Sequence, residues 1–366
     1  MKVAIITNIP SPYRIDLFNY LIKTYKEFEF KIIYSSKNED NRKWTIKSQS
    51  LLNSIFLKSV TMKIKKRNDN KYIHIPFNTM SVLNNFNPDV VVASEYNPTV
   101  LQSLIWCKLR KKKFISWSDG TLNSEKNINV IQKVSRKIII LGAVAYIASS
   151  TKTKEAQIFY GADEKKIYIS YLTVDIDKYL YKKDTYNNYN LLYVGSLIKR
   201  KGIDLLFSAL SKVKNDYKLM IIGEGSERKN LEKQAKKLGI LEKIEFLGFK
   251  QEYELREYYK KCDIFILPTR EDCFGLVVLE AMCNNLIIIS SKYADGSKDL
   301  IKDGVNGYIV DPYDSIEFSN KIKTLINNKE LCKNMIENNV NFLEKFTLKN
   351  VSLQFVNSIR FALNKL

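Results

Sequence analysis

Three polar segments in the second half of this 366-residue chain follow apolar runs and hold residue types suited to binding a phosphate ester. The first is GSLIKRKG, Gly195 to Gly202. A glycine turn followed by Arg200 and Lys201, ahead of a helix expected over 203–210, sets cationic side chains beside the open N–H groups of a helix start, which is a place for phosphate. Lys201 is the residue to set on a diphosphate, with Gly195, Ser196 and Arg200 beside it; the plain alternative is a solvated basic loop. The second segment, GEGSERKNLE from Gly223, reads as a tight strand-to-helix turn with Ser226 opening the helix, and most of it is structural. The third, PTREDCFGLVVLEAM, runs from Pro268 to Met282. Its pattern predicts a strand ending at Pro268 and a helix beginning near Phe274, with Asp272 as N-cap. Gly275 lets a ligand approach the amides of Phe274, Gly275 and Leu276. Asp272 and Glu280 are eight residues apart, which on a helix means about 12 Å of rise and about 80° of turn. That separation suits one carboxylate at the sugar and one at the ribose of a nucleotide-sugar, with the diphosphate between them. Glu280 lies within apolar VVLEAM, and a buried charge needs a partner, which argues against a merely solvated carboxylate.

The first half offers weaker candidates. The loop Pro10 to Arg14 follows the first apolar run, so Tyr13 and Arg14 are expected to face a ligand, with Arg14 at a donor phosphate or an acceptor. Glu95 follows another run and holds an equivalent edge; loop structure or a simple salt bridge is the alternative for each. The single histidine, His74, sits in alternating KYIHIPF and reads as a strand residue. Five scattered cysteines without a C-x-x-C spacing, and one histidine, assemble no zinc site of the usual kind. They read as free thiols in a reducing compartment.

The elements that must position these residues alternate between strand and helix. Short apolar runs at Val3–Thr7, Phe30–Tyr34, Val90–Ala93, Phe114–Trp117, Ala145–Ala148 and Ile167–Ser170 predict strands in the first half. Those at 191–195, 218–223, 243–248, 263–268, 286–290 and 307–310 predict strands in the second. Ile15, Phe18, Ile22 and Tyr25, like Leu101, Leu104, Ile105 and Leu109, recur at helical spacing. Apolar strands alternating with helices imply parallel sheets covered on both faces. The expected architecture is α/β, two Rossmann-like domains facing across a cleft, with ligands off the carboxyl ends of the strands. The boundaries fall at 1–180, 181–345 and 346–366, the last a C-terminal helix packing back toward the first domain. The division lies in the polar segment 179–190.

Composition sets outer limits. With 45% apolar and 27% charged residues the chain is globular rather than disordered. The opening MKVAIITNIPSPYR lacks the long apolar core of a secretory signal. The longest apolar stretch, Ile138 to Ala148, falls short of the roughly 20 residues that span a bilayer, so a cytoplasmic location is expected. The formal net charge is +20. Residues 1–180 hold 29 Lys and Arg against 15 Asp and Glu, so the excess sits in the first half, in runs such as Lys63–Arg67 and Arg110–Lys113. Such a field serves nucleic acid, an anionic membrane surface or a phosphorylated substrate, or is a solvated lysine-rich surface. The runs lack interleaved aromatics and match no nucleic-acid module, which argues against nucleic acid.

With these motifs in order, the second half resembles the family 4 glycosyltransferases of the GT-B fold, whose signature is Glu-x(7)-Glu in a strand–loop–helix. The match runs from GSLIKRKG through FLGF (Phe246–Phe249) and PTREDCFGLVVLEAM to IKDGVNGYIVDP (Ile301–Pro312). NIPSPYR, DVVVASEYNP and SWSDG match more loosely in the first half. The resemblance implies a retaining transferase using a UDP- or GDP-sugar, with no cofactor and no obligatory metal, acting on a glycan or lipid-linked glycan acceptor in surface polysaccharide synthesis. It places Lys201 on the leaving diphosphate, Asp272 and the amides of Phe274, Gly275 and Leu276 at the sugar and its phosphate, Glu280 on the ribose, and Gly248 and Phe249 beside the nucleobase. Departures are Asp272 for the first glutamate, Ser196 where many relatives carry arginine, and SWSDG where many carry histidine, which leaves Asp119 as the nearest polar candidate for catalysis. A catalytically weak polyanion- or nucleotide-binding protein of the same fold is the alternative. A GT-B epimerase would need an acid/base set that the sequence does not offer.

Overall fold

Strands rich in Val, Ile, Leu and Phe with no polar alternation belong inside parallel sheets, and that is where they lie. The computed structural model describes residues 1–39, 44–65, 70–181 and 190–364. The chain divides into two compact units, Met1–Asp175 with Thr347–Leu366, and Ile176–Phe346.

In the first unit β1 (Lys2–Thr7), β2 (Glu29–Tyr34), β3 (Ser54–Phe56), β4 (Ser59–Lys65), β5 (Asn70–Pro76), β6 (Val90–Ser94), β7 (Lys113–Ser118), β8 (Ala145–Ala148) and β9 (Ile167–Ile169) follow in chain order. Seven of them form one sheet of order β3-β2-β1-β6-β7-β8-β9, every neighbouring pair parallel. β4 and β5 pair antiparallel as a separate hairpin. The helix Leu348–Ala362 belongs to this unit: Val351, Phe355, Val356 and Ile359 are buried in its core, and Phe355 meets Trp117 edge to face at 5.3 Å.

The second unit holds β10 (Asn190–Val194), β11 (Lys218–Ile222), β12 (Ile244–Gly248), β13 (Ile264–Leu267), β14 (Ile287–Ser291) and β15 (Gly307–Val310). They form a parallel sheet of order β12-β11-β10-β13-β14-β15. The order reverses at β10 and β13, so the loops leaving these adjacent strands diverge and open a crevice, the usual ligand position in such sheets.

All twelve expected strands are present to within a residue or two. The short β3 and the β4 strand were not expected, because SIF is too short and SVTMKIK too polar to read as core. The helix Pro98–Leu109 exists, but its stripe does not face inward as a whole: Leu104 is buried, whereas Ile105 and Leu109 are 45% and 75% exposed. The helix expected at Ser226 opens at Arg228, and the C-terminal helix ends at Ala362 rather than at Leu366. The basic run at 63–67 and the boundary segment at 179–190 lie partly outside the described residues. The five cysteines form no disulfide. Among the described residues no helix is long and apolar enough to cross a membrane.

Candidate functional site

In the second unit the loops after β10 and β13 are locked together. Gly202 has φ of 70°, and a Cβ there would sit 2.0 Å from the Pro268 carbonyl oxygen, so only glycine lets the two loops close. The amide of Arg270 donates to the Arg200 carbonyl at 2.8 Å, and the Arg200 guanidinium donates to the Glu271 carbonyl at 2.8 Å. Arg270 grips Asp204 through two bonds of 2.7 Å, and Lys199 adds a third contact at 2.8 Å. Burial raises the pKa of Asp204, but these cations outweigh it and hold the carboxyl below its ordinary range.

Within this clamp Lys201 donates to Oδ2 of Asp272. Each side chain is 16% exposed. Oδ1 of Asp272 accepts from the amides of Phe274 at 3.2 Å and Gly275 at 3.0 Å. Burial raises the Asp272 pKa; Lys201, Arg200 and the Phe274 amide overcome that and leave it below the usual value. This corrects the sequence expectation in two ways. The helix begins at Leu276, with Gly275 at its N-cap in the left-handed region, so Asp272 closes the turn from three residues upstream. The stretch from Asp272 to Glu280 is therefore helical only from Leu276, and the 12 Å rise does not apply. The amides of Phe274 and Gly275, expected for a ligand, are taken by Asp272. The amides of Leu276 and Val277 head the helix, where no carbonyl of a preceding turn exists to meet them.

Glu280 lies in the second turn of that helix and is half-buried. Tyr259 donates its hydroxyl to Oε2 at 2.8 Å. Burial pushes the carboxyl up to about 7, the Tyr259 bond and Arg256 pulling it down and Glu252 raising it further. Gly195 and Gly248 end β10 and β12 with positive φ; Ser196 is exposed and accepts from the Tyr193 hydroxyl through its carbonyl at 3.1 Å. Phe249 is 38% exposed just beyond Gly248. Asp204, Arg270 and Tyr259 were not singled out from sequence. A partner for Glu280 was demanded by its apolar surroundings, but nothing local says which residue supplies it.

The first unit has its own polar cavity of about 360 Å³ off the carboxyl ends of β1, β6 and β7. Tyr13, Arg14, Glu95 and Asp119, all expected from sequence, line it together. Arg14 is buried and donates to Asp119 at 2.5 Å, Ser94 at 2.8 Å and Thr7 at 3.2 Å, with its guanidinium 4.1 Å from the Trp117 ring centre. Burial works against its charge, but Asp119, Tyr13 and Glu95 prevail and hold its pKa above the usual value. Ser149 donates to the other oxygen of Asp119. Glu95 stands at φ 74°, in the left-handed region that residues with a Cβ rarely adopt. Its Oε1 accepts from the Asp119 amide at 3.2 Å, and burial first, then the Asp119 charge, lift its pKa despite Arg14. His74 is a buried β5 residue bonded to Thr61 and Glu39, and it lines the same cavity with Trp44 and Arg136. Arg136 pairs with buried Glu125 at 2.7 Å. Among the described residues no group of three or more His, Cys, Asp and Glu is arranged to hold a metal ion.

Two parallel-sheet units with polar loops at the strand ends define a Rossmann-like α/β protein of the GT-B class. The family described as glycosyl transferases group 1 matches residues 175–342. An uncharacterised glycosyltransferase of Methanocaldococcus jannaschii is 33% identical over 169 residues, 45% of this chain and 47% of its own length. The lipopolysaccharide 1,6-galactosyltransferase of Escherichia coli is 26% identical over 246 residues, 64% of this chain and 65% of its own. The Anabaena protein HepE, solved with UDP, is 18% identical, with a TM-score of 0.81 over 99% of this chain and 100% of its own; it has also been solved with UDP-glucose. At that identity the likeness is one of fold. The chain matches less than half the length of the first of these curated relatives.

Proposed function

We propose that this protein is a retaining glycosyltransferase that moves a sugar from a UDP- or GDP-sugar to a glycan or lipid-linked glycan acceptor in surface polysaccharide synthesis. The observation that carries the reading is the Lys201–Asp272 pair at the switch point of the second sheet, with Glu280 in the helix that follows. Breaking the bond between the anomeric carbon and the diphosphate leaves negative charge on the diphosphate. The acceptor oxygen bonds to that carbon, and its proton passes to the departing diphosphate oxygen. Lys201 and the amides of Leu276 and Val277 are preorganised positive ends for the leaving charge, a task otherwise given to a metal ion. Glu280 offers acceptor oxygens to the two hydroxyls of a ribose. UDP is the donor base to test first, since HepE was solved with it. The polar cavity of the first unit is assigned to the acceptor, and the reaction to the cytoplasmic face of a membrane.

The test is donor hydrolysis and transfer across a panel of UDP- and GDP-sugars. Lys201→Ala and Glu280→Ala each remove a charged partner worth about 1.5–3 kcal/mol, so turnover is expected to fall at least tenfold in each. Full activity in both variants would overturn the assignment. Calorimetry with UDP, GDP and RNA separates this reading from a polyanion-binding protein, which would bind RNA and neither nucleotide.

A further inference from the structure

The helix Val130–Gly142 is apolar on two faces. Arg136, Ile139 and Ile140 turn inward, while Val130, Ile131, Val134, Ile138 and Leu141 are 74%, 79%, 51%, 50% and 62% exposed. At about 100° per residue these five fall on a single arc of about 100°, bordered on one side by Lys133 and Lys137, both exposed. A contiguous apolar stripe of this kind marks an interaction surface. The neighbouring helix Pro98–Leu109 touches it where Leu104 meets Gly142. That helix adds exposed Ile105 and Leu109 and ends in exposed Lys108, Arg110 and Lys111. No acidic residue occurs from Tyr96 to Ser118 or from Lys126 to Lys154.

We propose that this face docks on an anionic lipid bilayer. The stripe lies at the boundary between headgroups and acyl chains, and the lysine and arginine side chains reach along it to the lipid phosphates. Charge selects this occupant. A second copy of the chain would set two basic faces against each other, whereas a sheet of anionic headgroups complements both helices at once. The docking goes beyond the proposed reaction and does not rest on it.

Flotation of the full chain with vesicles tests it, using phosphatidylcholine alone and equal parts phosphatidylcholine and phosphatidylglycerol. The chain is expected to float with the mixed vesicles and to stay behind with phosphatidylcholine. The double substitution V134E/I138E is expected to weaken binding tenfold or more. K133E/K137E is expected to weaken it and to flatten its dependence on salt. All four side chains are exposed, so melting temperature, circular dichroism and vesicle-free donor hydrolysis should match the wild type. A wild-type chain that does not float, or a V134E/I138E chain that floats as well as wild type, overturns the proposal. So does a wild-type dimer that V134E/I138E dissociates without any vesicle binding, which would make the face a contact between copies. Vesicle binding without donor turnover would overturn the transferase reading and leave the docking standing.

Discussion

Lys201 and Asp272 bind each other, and Asp272 in turn closes the start of the helix after β13 through the amides of Phe274 and Gly275. One carboxylate therefore balances the loop cation and orders the helix start. On the proposed function, a diphosphate entering this crevice would compete with Asp272 for Lys201.

Folding and binding should separate at this pair. Lys201→Met takes from a mostly buried carboxylate the cation bonded to it, leaving only Arg200 nearby, and is expected to lower stability by about 2–3 kcal/mol, less than for a fully buried pair. Adding Asp272→Asn removes the stranded charge, so the double variant should regain most of that loss in urea melts. Turnover of a UDP-sugar should stay low in both. A double variant with wild-type turnover would mean that Lys201 has no role at the phosphate.

Glu280 gives a pH dependence of known sign. Its folded pKa of about 7 lies above the ordinary carboxylate value, so the native state holds a proton that the unfolded state has lost. The stability tied to that proton is full below the unfolded value near 4.5 and is lost as pH rises to about 7. Glu280→Gln keeps an acceptor for Tyr259 and removes the charge. It should be the more stable protein at pH 8, by up to about 3 kcal/mol, and equal to wild type at pH 4.5. Nucleotide affinity should move the other way, rising through pH 7 in wild type as the carboxylate ionises and staying flat in the variant. A wild-type affinity that does not change across this range would remove Glu280 from the ribose.

The sheets, and Lys201 and Asp272 taken singly, were legible because their information is local, whereas the bond between these two residues, 71 positions apart, was not. Apolar runs mark buried strands wherever they fall, and a glycine turn with a basic residue after a strand carries its geometry with it. Contacts between distant elements were not legible. Glu280 signalled its need for a partner through its apolar neighbours, yet Tyr259 comes from another helix. The residues that join Arg14, Glu95 and Asp119 around the first unit's cavity include Trp44, His74 and Arg136, which share no motif. Ile105 and Leu109 fit a helical stripe perfectly well, and only packing reveals that they face outward.

Arg14 is the keystone of the first unit's cavity, because its guanidinium meets Thr7, Ser94 and Asp119 from three strand ends. Arg14→Leu should cost about 3–5 kcal/mol by leaving Asp119 and Glu95 without their cation. Arg14→Lys cannot span the same partners with a point charge and should recover only part of this. Thermal melts measure both. Nucleotide affinity in the folded variants should be unchanged if, as proposed, this cavity takes the acceptor; a loss of UDP binding at full stability would contradict that assignment.

The short side chain at position 272 supplies the sharpest test. Only a carboxylate one methylene from the backbone reaches the amides two and three residues on, the geometry of an Asx turn. Asp272→Glu lengthens the arm, so the bonds to Phe274 and Gly275 should open and stability should fall by about 1 kcal/mol, as for a lost helix cap. The freed amides then join those of Leu276 and Val277 at the helix start, where they can meet a phosphate. Stability and UDP affinity should therefore part: a lower melting temperature without nucleotide, and an affinity in calorimetry equal to or above wild type. If both fall together, the two amides have no place in the phosphate site and Asp272 acts there only through Lys201.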